Sequence, residues 1–222
     1  MNKSAVMLVG TLLVAGSAVL FAQDPVKVDP AHYKAILDNA AVRVLKVDYP
    51  AGSKSPMHSH PDAIVIALSA SKVQFTNADK TTTDSNMANG SGMYTPAGSH
   101  SAVAGPTGSN ALVIEFKGAG GKATLPTSRP GMTIKVLAEG PRGMAYRSTA
   151  APDFAEPAGT KHDYDQVVIA LSATNGMSLS IDGKPAKTTW ARGDVQFIGR
   201  GTPHEAKNTS GKPVEFVIVA IK

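Results

Sequence analysis

The sequence predicts an all-β protein in which two similar domains follow an N-terminal signal peptide. Three observations support this prediction. The 222 residues include 21 glycines and 15 prolines, which is typical of short strands joined by many turns. The first 22 residues have the layout of an export signal. The remainder contains the same series of sequence blocks twice, in the same order.

Residues 1–22 are predicted to be a signal peptide. Lys3 gives a positive start, an almost continuous apolar stretch runs from Ala5 to Leu20, and cleavage is expected after Ala22. The alternative is a retained membrane anchor, which the short apolar stretch disfavours. We therefore expect export to the bacterial periplasm or the extracellular medium, with no membrane association after cleavage.

Composition excludes several classes of function. The chain has no cysteine, so disulfides, thiolate catalysis, zinc–thiolate sites and a cysteine-linked lipid anchor are ruled out. The basic residues behind the formal net charge of +5 are dispersed and not interleaved with aromatic residues. We therefore expect no nucleic-acid partner and a mild preference for anionic small molecules.

After the signal, a short helix is expected at about Ala31–Asp38, because Asp29-Pro30 suits a helix start. From Val42 onward the pattern changes to β-branched and apolar runs separated by turns. The predicted strands of the first half are Val42–Val47, Ile64–Leu68, Val73–Thr76, Met93–Thr95 and Leu112–Phe116.

An internal duplication covers nearly all of the chain that follows the signal. Pro50–Lys54 returns as Pro157–Lys161, Ile64–Ala70 as Val167–Ala173, Gly90–His100 as Gly193–His204, and Ala111–Lys117 as Phe216–Lys222. The second copy has four residues fewer between its first two blocks. Between the copies, residues 118–131 are rich in glycine and proline and are predicted to be a linker. The predicted domains are therefore residues 23–117 and 132–222.

Two histidines stand out at the start of the first copy. His58 and His60 follow Gly52 and precede the apolar run that begins at Ile64. Because residues two apart on a strand point to the same face, both imidazoles are expected on one side of the sheet.

These blocks resemble the two sequence motifs of the cupins, which are small double-sheet barrels of the jelly-roll type. The first motif is matched by Gly52, His58 and His60, and the second by Gly193, Gly201, His204 and Asn208. In the first copy the second motif is matched by Gly90, Pro96, Gly98 and His100, with one residue fewer before the histidine. The resemblance implies two tandem jelly-roll barrels, a bicupin.

The resemblance also implies a metal site in the N-terminal barrel. The glutamate of the first motif would fall on Ile64 or Val65, so the implied ligands are His58, His60 and His100. Such a set suits one divalent transition metal ion, and Fe, Mn, Ni, Cu and Zn are not distinguished. Asp62, Glu115 and Tyr94 are candidates for groups that support these ligands. In the C-terminal barrel the corresponding residues are His162, Gln166 and His204, a weaker set without an anionic ligand.

The function implied is that of an exported metal-dependent dioxygenase or isomerase acting on a small organic molecule. The alternatives are a non-catalytic protein that binds a sugar or envelope ligand, and a structural bicupin that has lost its site. The two barrels would pair within a monomer, or the chain would form a homodimer.

Overall fold

A computed structural model describes residues 23–118, 120–124 and 126–222. The predicted signal peptide, residues 1–22, lies outside the described residues. Within the described chain, no helix has the length and apolar character needed to cross a membrane. The elements are one short helix and many strands: α1 (Pro25–Val28), β1 (Tyr33–Asp38), β2 (Val42–Tyr49), β3 (Lys54–His60), β4 (Ala63–Ala67), β5 (Ser71–Asn77), β6 (Thr82–Met87), β7 (Gly92–Thr95), β8 (Gly98–Ala104), β9 (Ser109–Phe116), β10 (Met132–Gly140), β11 (Gly143–Ala150), β12 (Asp165–Ala170), β13 (Thr174–Ile181), β14 (Lys184–Trp190), β15 (Val195–Ile198), β16 (His204–Asn208) and β17 (Val214–Ile221).

The strands form two barrels, each built from two antiparallel sheets. In the first barrel a five-stranded sheet with the order β1-β2-β9-β4-β7 faces a four-stranded sheet with the order β3-β8-β5-β6. In the second, the order β10-β11-β17-β12-β15 is paired with the three-stranded order β14-β13-β16. The all-β, jelly-roll fold predicted from the sequence is confirmed.

The duplication extends to irregularities of the backbone. In the first barrel the β1–β2 register shifts between Ala35 and Leu37. In the second, the β10–β11 register shifts between Val136 and Ala138, which is the equivalent place in the repeat. A β-bulge retained at the same place in both copies indicates one ancestral barrel strand pair.

The predicted helix at Ala31–Asp38 is wrong. Tyr33–Asp38 is instead the edge strand β1, paired with β2 from Tyr33 opposite Val47 to Asp38 opposite Arg43. The helix start lies one turn earlier in the chain: Asp24 accepts a hydrogen bond from the Val26 amide at 2.9 Å and Pro25 occupies the first helical turn. Pairing with β2 outweighs the local signal at Asp29-Pro30.

The two barrels pack through their five-stranded sheets. Buried side chains from both sheets form a single apolar cluster: Val42, Val44, Ile64, Ile66, Leu68, Leu112, Ile114 and Phe116 from the first barrel, and Ala145, Val167, Ile169, Leu171, Val217, Val219 and Ile221 from the second. This arrangement explains the unbroken apolar run of β4. Ile64 and Ile66 face the partner sheet, while Val65 faces the interior of its own barrel. Both faces of the strand are covered, so alternation with polar residues is lost.

Two arginines of the second barrel donate hydrogen bonds across this interface. Arg192, from the second barrel, donates to the carbonyl oxygens of Leu68 and Leu171. Arg147, also from the second barrel, donates to the Gly90 carbonyl at 2.9 Å. Gly193 has a φ of +81°, and a Cβ there would lie 3.0 Å from the Leu68 side chain. The motif glycine is therefore required both by its backbone conformation and by the closeness of the two barrels.

Candidate metal and ligand sites in the two barrels

The three predicted histidines lie near one another in the N-terminal barrel, although no set of one nitrogen from each ring lies entirely within 4.8 Å. His58 and His60 lie on β3, His100 lies on β8, and the antiparallel register places His58 directly opposite His100. The ring centroids are 4.8 Å apart for His58 and His100, and 4.9 Å apart for His60 and His100. The strand periodicity therefore did bring His58 and His60 to one cluster.

Hydrogen bonds define which ring nitrogens carry lone pairs. Nδ1 of His58 lies 2.9 Å from the Pro56 carbonyl oxygen, and Nδ1 of His60 lies 2.8 Å from that of Pro61. A carbonyl oxygen can only accept, so both Nδ1 atoms carry the proton and both Nε2 atoms are available as acceptors or metal ligands. The Nε2 of His58 lies 3.1 Å from the Tyr33 hydroxyl, which therefore donates to it.

Burial disfavours the protonated forms of His58 and His100. Desolvation lowers the pKa of His58, whose side chain is almost fully buried. Desolvation, together with the neighbouring rings of His58 and His60, lowers the pKa of His100 to about 3. Neutral imidazole is the form that ligates a metal, so no proton has to be removed before these nitrogens bind one.

The histidines form part of the wall of a large cavity. Its volume is about 570 Å³, within the range of sites that hold small organic ligands. Apolar side chains line much of the wall: Leu45, Val47, Val65, Val73, Phe75, Met87, Met93 and Val113. Of the lining residues in the described chain, none is lysine or arginine, whereas Asp84 and Glu115 are acidic. The basic residues that give the chain its positive net charge therefore do not line this cavity.

The three candidate supporting residues have different surroundings. Tyr94 and Glu115 both line the cavity. Glu115 is almost fully buried, and its Oε2 accepts from Arg43 Nε at 2.5 Å. Asp62 instead accepts a hydrogen bond from the Ala97 amide at 2.7 Å, so it fixes the turn that precedes β8.

The C-terminal barrel contains a second cluster of candidate ligands. Glu156, His162 and His204 each offer an atom, and these atoms all lie within 4.8 Å of one another. In the described part of the chain, this is the one group of three or more such side chains that meets this distance. By donor type, one carboxylate and two imidazoles could hold a divalent ion.

A guanidinium already contacts two of these candidate ligands, and a side-chain amide contacts the third. Nη2 of Arg129 donates to Glu156 Oε1 and lies 3.3 Å from His162 Nε2. Nε2 of His204 lies 3.2 Å from the side-chain nitrogen of Gln166, while its Nδ1 donates to the Thr202 carbonyl at 3.0 Å. Burial and the charge of Arg129 lower the pKa of His162 to about 4. The donor types suit a metal, but the lone pairs are already hydrogen-bonded.

The interior of the second barrel is almost filled. Its cavity is about 40 Å³, which is room for a few water molecules at most. Trp190 packs edge-on against Phe216 with ring centroids 5.0 Å apart, and its Nε1 donates to the Met177 carbonyl. The two barrels therefore differ in kind: the first encloses a ligand-sized cavity, and the second a packed core.

Glu156 was not among the residues predicted for this site. In the first barrel β2 ends at Tyr49 and Pro50 follows at once, whereas in the second β11 ends at Ala150 and six residues intervene before Pro157. Glu156 is the last residue of that extra segment. The sequence does place the Glu156 carboxylate directly before a repeated block. Because the first copy has no equivalent residue, the two motifs do not predict it as a ligand.

Comparison with known proteins supports the fold. No protein-family model matches the chain, and no curated protein sequence matches it. Solved structures do match. AerE from Microcystis aeruginosa has a TM-score of 0.63 at 12% identity, with coverage of 86% of this chain and 97% of that chain. A cupin 2 conserved barrel domain protein from Leptotrichia buccalis has a TM-score of 0.57 at 12% identity, covering 86% and 88%. A variant of salicylate 1,2-dioxygenase from Pseudoaminobacter salicylatoxidans has a TM-score of 0.59 at 9% identity, covering 82% and 71%.

The protein therefore has the cupin fold, with two cupin-type barrels in one chain. At these identities the similarity concerns the fold and not the activity.

Proposed function

We propose that this protein is an exported bicupin that binds a small organic molecule in its N-terminal barrel and acts on it with one divalent transition metal ion. The observation that carries this proposal is that the ring centroids of His58 and His60 lie 4.8 Å and 4.9 Å from that of His100, in the wall of a cavity of about 570 Å³. Histidine clusters and ligand-sized cavities occur together where a metal and a substrate share a site.

His58, His60 and His100 would hold the ion through nitrogen atoms. A metal bound there supplies Lewis acidity or activates dioxygen, which is consistent with an isomerase or a dioxygenase. Three imidazole ligands do not select among Fe, Mn, Ni, Cu and Zn. Among the similar solved structures, one is a salicylate 1,2-dioxygenase and another an oxalate decarboxylase, and this supports an enzymatic role without identifying the reaction.

The residues of the barrel contribute orientation and a dry environment. The Pro56 and Pro61 carbonyls fix the His58 and His60 rings through Nδ1. The apolar wall excludes water around the ligand.

The charges of the wall favour an uncharged ligand. Asp84 and Glu115 are the charged residues among those that line the described cavity, and Glu115 is already paired with Arg43. An anionic ligand would find no positive side chain there, apart from the metal itself. We therefore propose a neutral, partly apolar substrate, contrary to the mild anionic preference expected from net charge alone.

A second candidate function is non-catalytic binding of a small molecule. The hydrogen bond from Tyr33 to Nε2 of His58 favours this candidate, because it satisfies that nitrogen without a metal. The ligand would then occupy the same cavity, with a sugar or an envelope component as the candidate.

Metal analysis of the purified protein tests the proposal. After expression in metal-supplemented medium, the wild type is expected to retain close to one equivalent of a transition metal, and His58→Ala and His100→Ala to lose it. His32→Ala is the control, because its ring pairs with Asp29 outside the cluster. Less than about a tenth of an equivalent in the wild type would rule out the metal enzyme.

Ligand binding separates the remaining alternatives. A thermal shift with a neutral ligand in metal-free protein would favour the binding protein. If the protein binds neither metal nor ligand, the structural bicupin is the remaining alternative. Export is tested separately by mass spectrometry of the protein recovered from the periplasm or medium. A mature N-terminus at Gln23 is the expected result.

A further inference from the structure

We infer that the guanidinium of Arg129 takes the place of a metal ion in the C-terminal barrel, so that Glu156, His162 and His204 form a metal-free ionic cluster. The inference concerns the second barrel alone and is independent of the function proposed for the first. It rests on the contacts of these side chains.

Arg129 contacts two of the three candidate ligands. Its Nη2 donates to Glu156 Oε1 and lies 3.3 Å from His162 Nε2. The Arg129 side chain is 10% exposed and that of Glu156 is 7% exposed. A buried cation thus already lies against the same carboxylate and imidazole atoms that a metal would need.

The remaining ligand atom is also engaged. The Nδ1–H of His204 donates to the Thr202 carbonyl, so its Nε2 carries the lone pair, and this atom lies 3.2 Å from the amide nitrogen of Gln166. The second carboxylate oxygen of Glu156 lies 3.7 Å from the same Nε2. Each candidate ligand therefore has a protein donor in contact with it, and an incoming ion would have to break these hydrogen bonds.

The charge balance points the same way. Arg129 is permanently protonated and pairs with Glu156, so the single carboxylate of the cluster already has a cation beside it. A divalent ion would add two positive charges beside a guanidinium, in a buried site with a single carboxylate. That excess charge is costly in a medium of low dielectric constant. Metal entry therefore requires Arg129 to leave.

The positions of Arg129 and Glu156 along the chain give the cluster a structural role. Arg129 belongs to residues 118–131, which connect the barrels, and Glu156 belongs to the six-residue segment that the first barrel lacks. The ion pair ties these two irregular segments together. Nearby, Gly131 lies against Phe154 of the same extra segment. The cluster thus connects the linker to the second barrel without a metal.

Zinc binding by defined variants tests this inference. In a His58→Ala/His100→Ala background, which removes the candidate ligands of the first barrel, the protein dialysed against Zn²⁺ is expected to keep less than about a tenth of an equivalent by elemental analysis. Adding Arg129→Met to that background is expected to raise the content towards about one equivalent, and adding Glu156→Gln as well is expected to remove it again. Cobalt in place of zinc would report the new site through its visible absorption.

Arg200→Met is the matched control. It removes an arginine that pairs with Asp165 in the same barrel, outside the cluster, and it is expected to gain no zinc. The inference is overturned if the His58→Ala/His100→Ala protein holds about one equivalent that Glu156→Gln removes. It is also overturned if a folded Arg129→Met protein gains none. Where Arg129→Met fails to fold, Arg129→Gln serves the same purpose, and the measurement in the parent background decides by itself.

Discussion

The Tyr33 hydroxyl lies 3.1 Å from Nε2 of His58 and donates a hydrogen bond to it. Nδ1 of the same ring is committed to the Pro56 carbonyl, so Nε2 is the atom of His58 that a metal would use. The Tyr49 hydroxyl donates to Tyr33, which directs the Tyr33 proton towards the imidazole. Tyr33 thus competes directly with any metal for one of the three candidate ligands.

Replacing Tyr33 by phenylalanine is expected to tighten metal binding in the N-terminal barrel. A hydrogen bond of this kind contributes about 0.5–1.5 kcal/mol, so its removal from the competing state corresponds to a gain in affinity of about 2- to 10-fold. Calorimetric titration of metal-free protein with Zn²⁺ measures the change. The same substitution is expected to lower the free energy of unfolding of the metal-free protein by about 1 kcal/mol.

Tyr49→Phe is the matched control for this competition. It removes the donor to Tyr33 but leaves the Tyr33–His58 hydrogen bond in place. Its effect on zinc affinity is expected to be smaller than about 2-fold. Weaker zinc binding in Tyr33→Phe would contradict the competition and show that Tyr33 supports the metal-bound form of His58.

Stability is expected to fall as the solution is acidified below pH 6.5. Burial lowers the pKa of His100 to about 3 and that of His162 to about 4, whereas both titrate near 6.5 in the unfolded chain. Between these values the unfolded state binds more protons than the folded state. Each group then reduces the free energy of unfolding by at most about 1.4 kcal/mol per pH unit as the pH falls. Well above pH 6.5 both histidines are unprotonated in the folded and the unfolded state, so neither makes the free energy of unfolding depend on pH.

Urea denaturation with EDTA at pH 7, 5.5 and 4.5 measures this dependence. His100→Asn and His162→Asn are each expected to flatten the loss of stability over this range, and the double variant is expected to flatten it further. His32→Asn serves as a control, since it lies outside both clusters. Equal slopes in the wild type and the double variant would show that the acid sensitivity originates elsewhere.

The sequence predicted the elements whose signals are local or duplicated. The five strands predicted in the first half all exist, and the repeat in the second half predicted their counterparts. The nearness of the His58, His60 and His100 rings follows from strand periodicity and motif spacing, which both concern positions on neighbouring strands, while their role as metal ligands stays a prediction. β1 was missed because its pairing with β2 is a long-range interaction that a helix-start signal at Asp29-Pro30 does not report.

The second barrel shows where motif comparison ends. Glu156 lies on a segment without a counterpart in the first copy, and Arg129 lies in what was predicted as a linker. Neither position belongs to a periodic strand, so no pattern predicts that their side chains meet. The volume of each barrel's cavity also does not follow from the sequence motifs. The two barrels share motifs, yet one has a cavity of about 570 Å³ and the other of about 40 Å³.

The sheet-to-sheet interface is expected to make the two barrels unfold together. Ile114 is fully buried in the apolar cluster that both five-stranded sheets share. Ile114→Ala is expected to lower the free energy of unfolding by about 2–5 kcal/mol, in a single transition, as measured by urea denaturation. Ile36→Ala is the control, because this side chain is 42% exposed, and it is expected to change stability by less than about 0.5 kcal/mol. Two separate transitions in the wild type would show that each barrel is stable alone.

Arg129 and Glu156 are expected to be energetically coupled. Arg129→Met leaves a buried carboxylate without its cation, and Glu156→Gln leaves a buried guanidinium without its anion. Each single substitution is expected to cost about 3–5 kcal/mol, because an uncompensated charge remains in the interior. The double variant has no buried charge left and is expected to cost less than either single one.

Arg200 and Asp165 provide the control cycle: the Arg200 side chain is 48% exposed, so a coupling below about 1 kcal/mol is expected there. Additive losses for Arg129→Met and Glu156→Gln would mean that the two side chains stabilise the barrel through separate contacts.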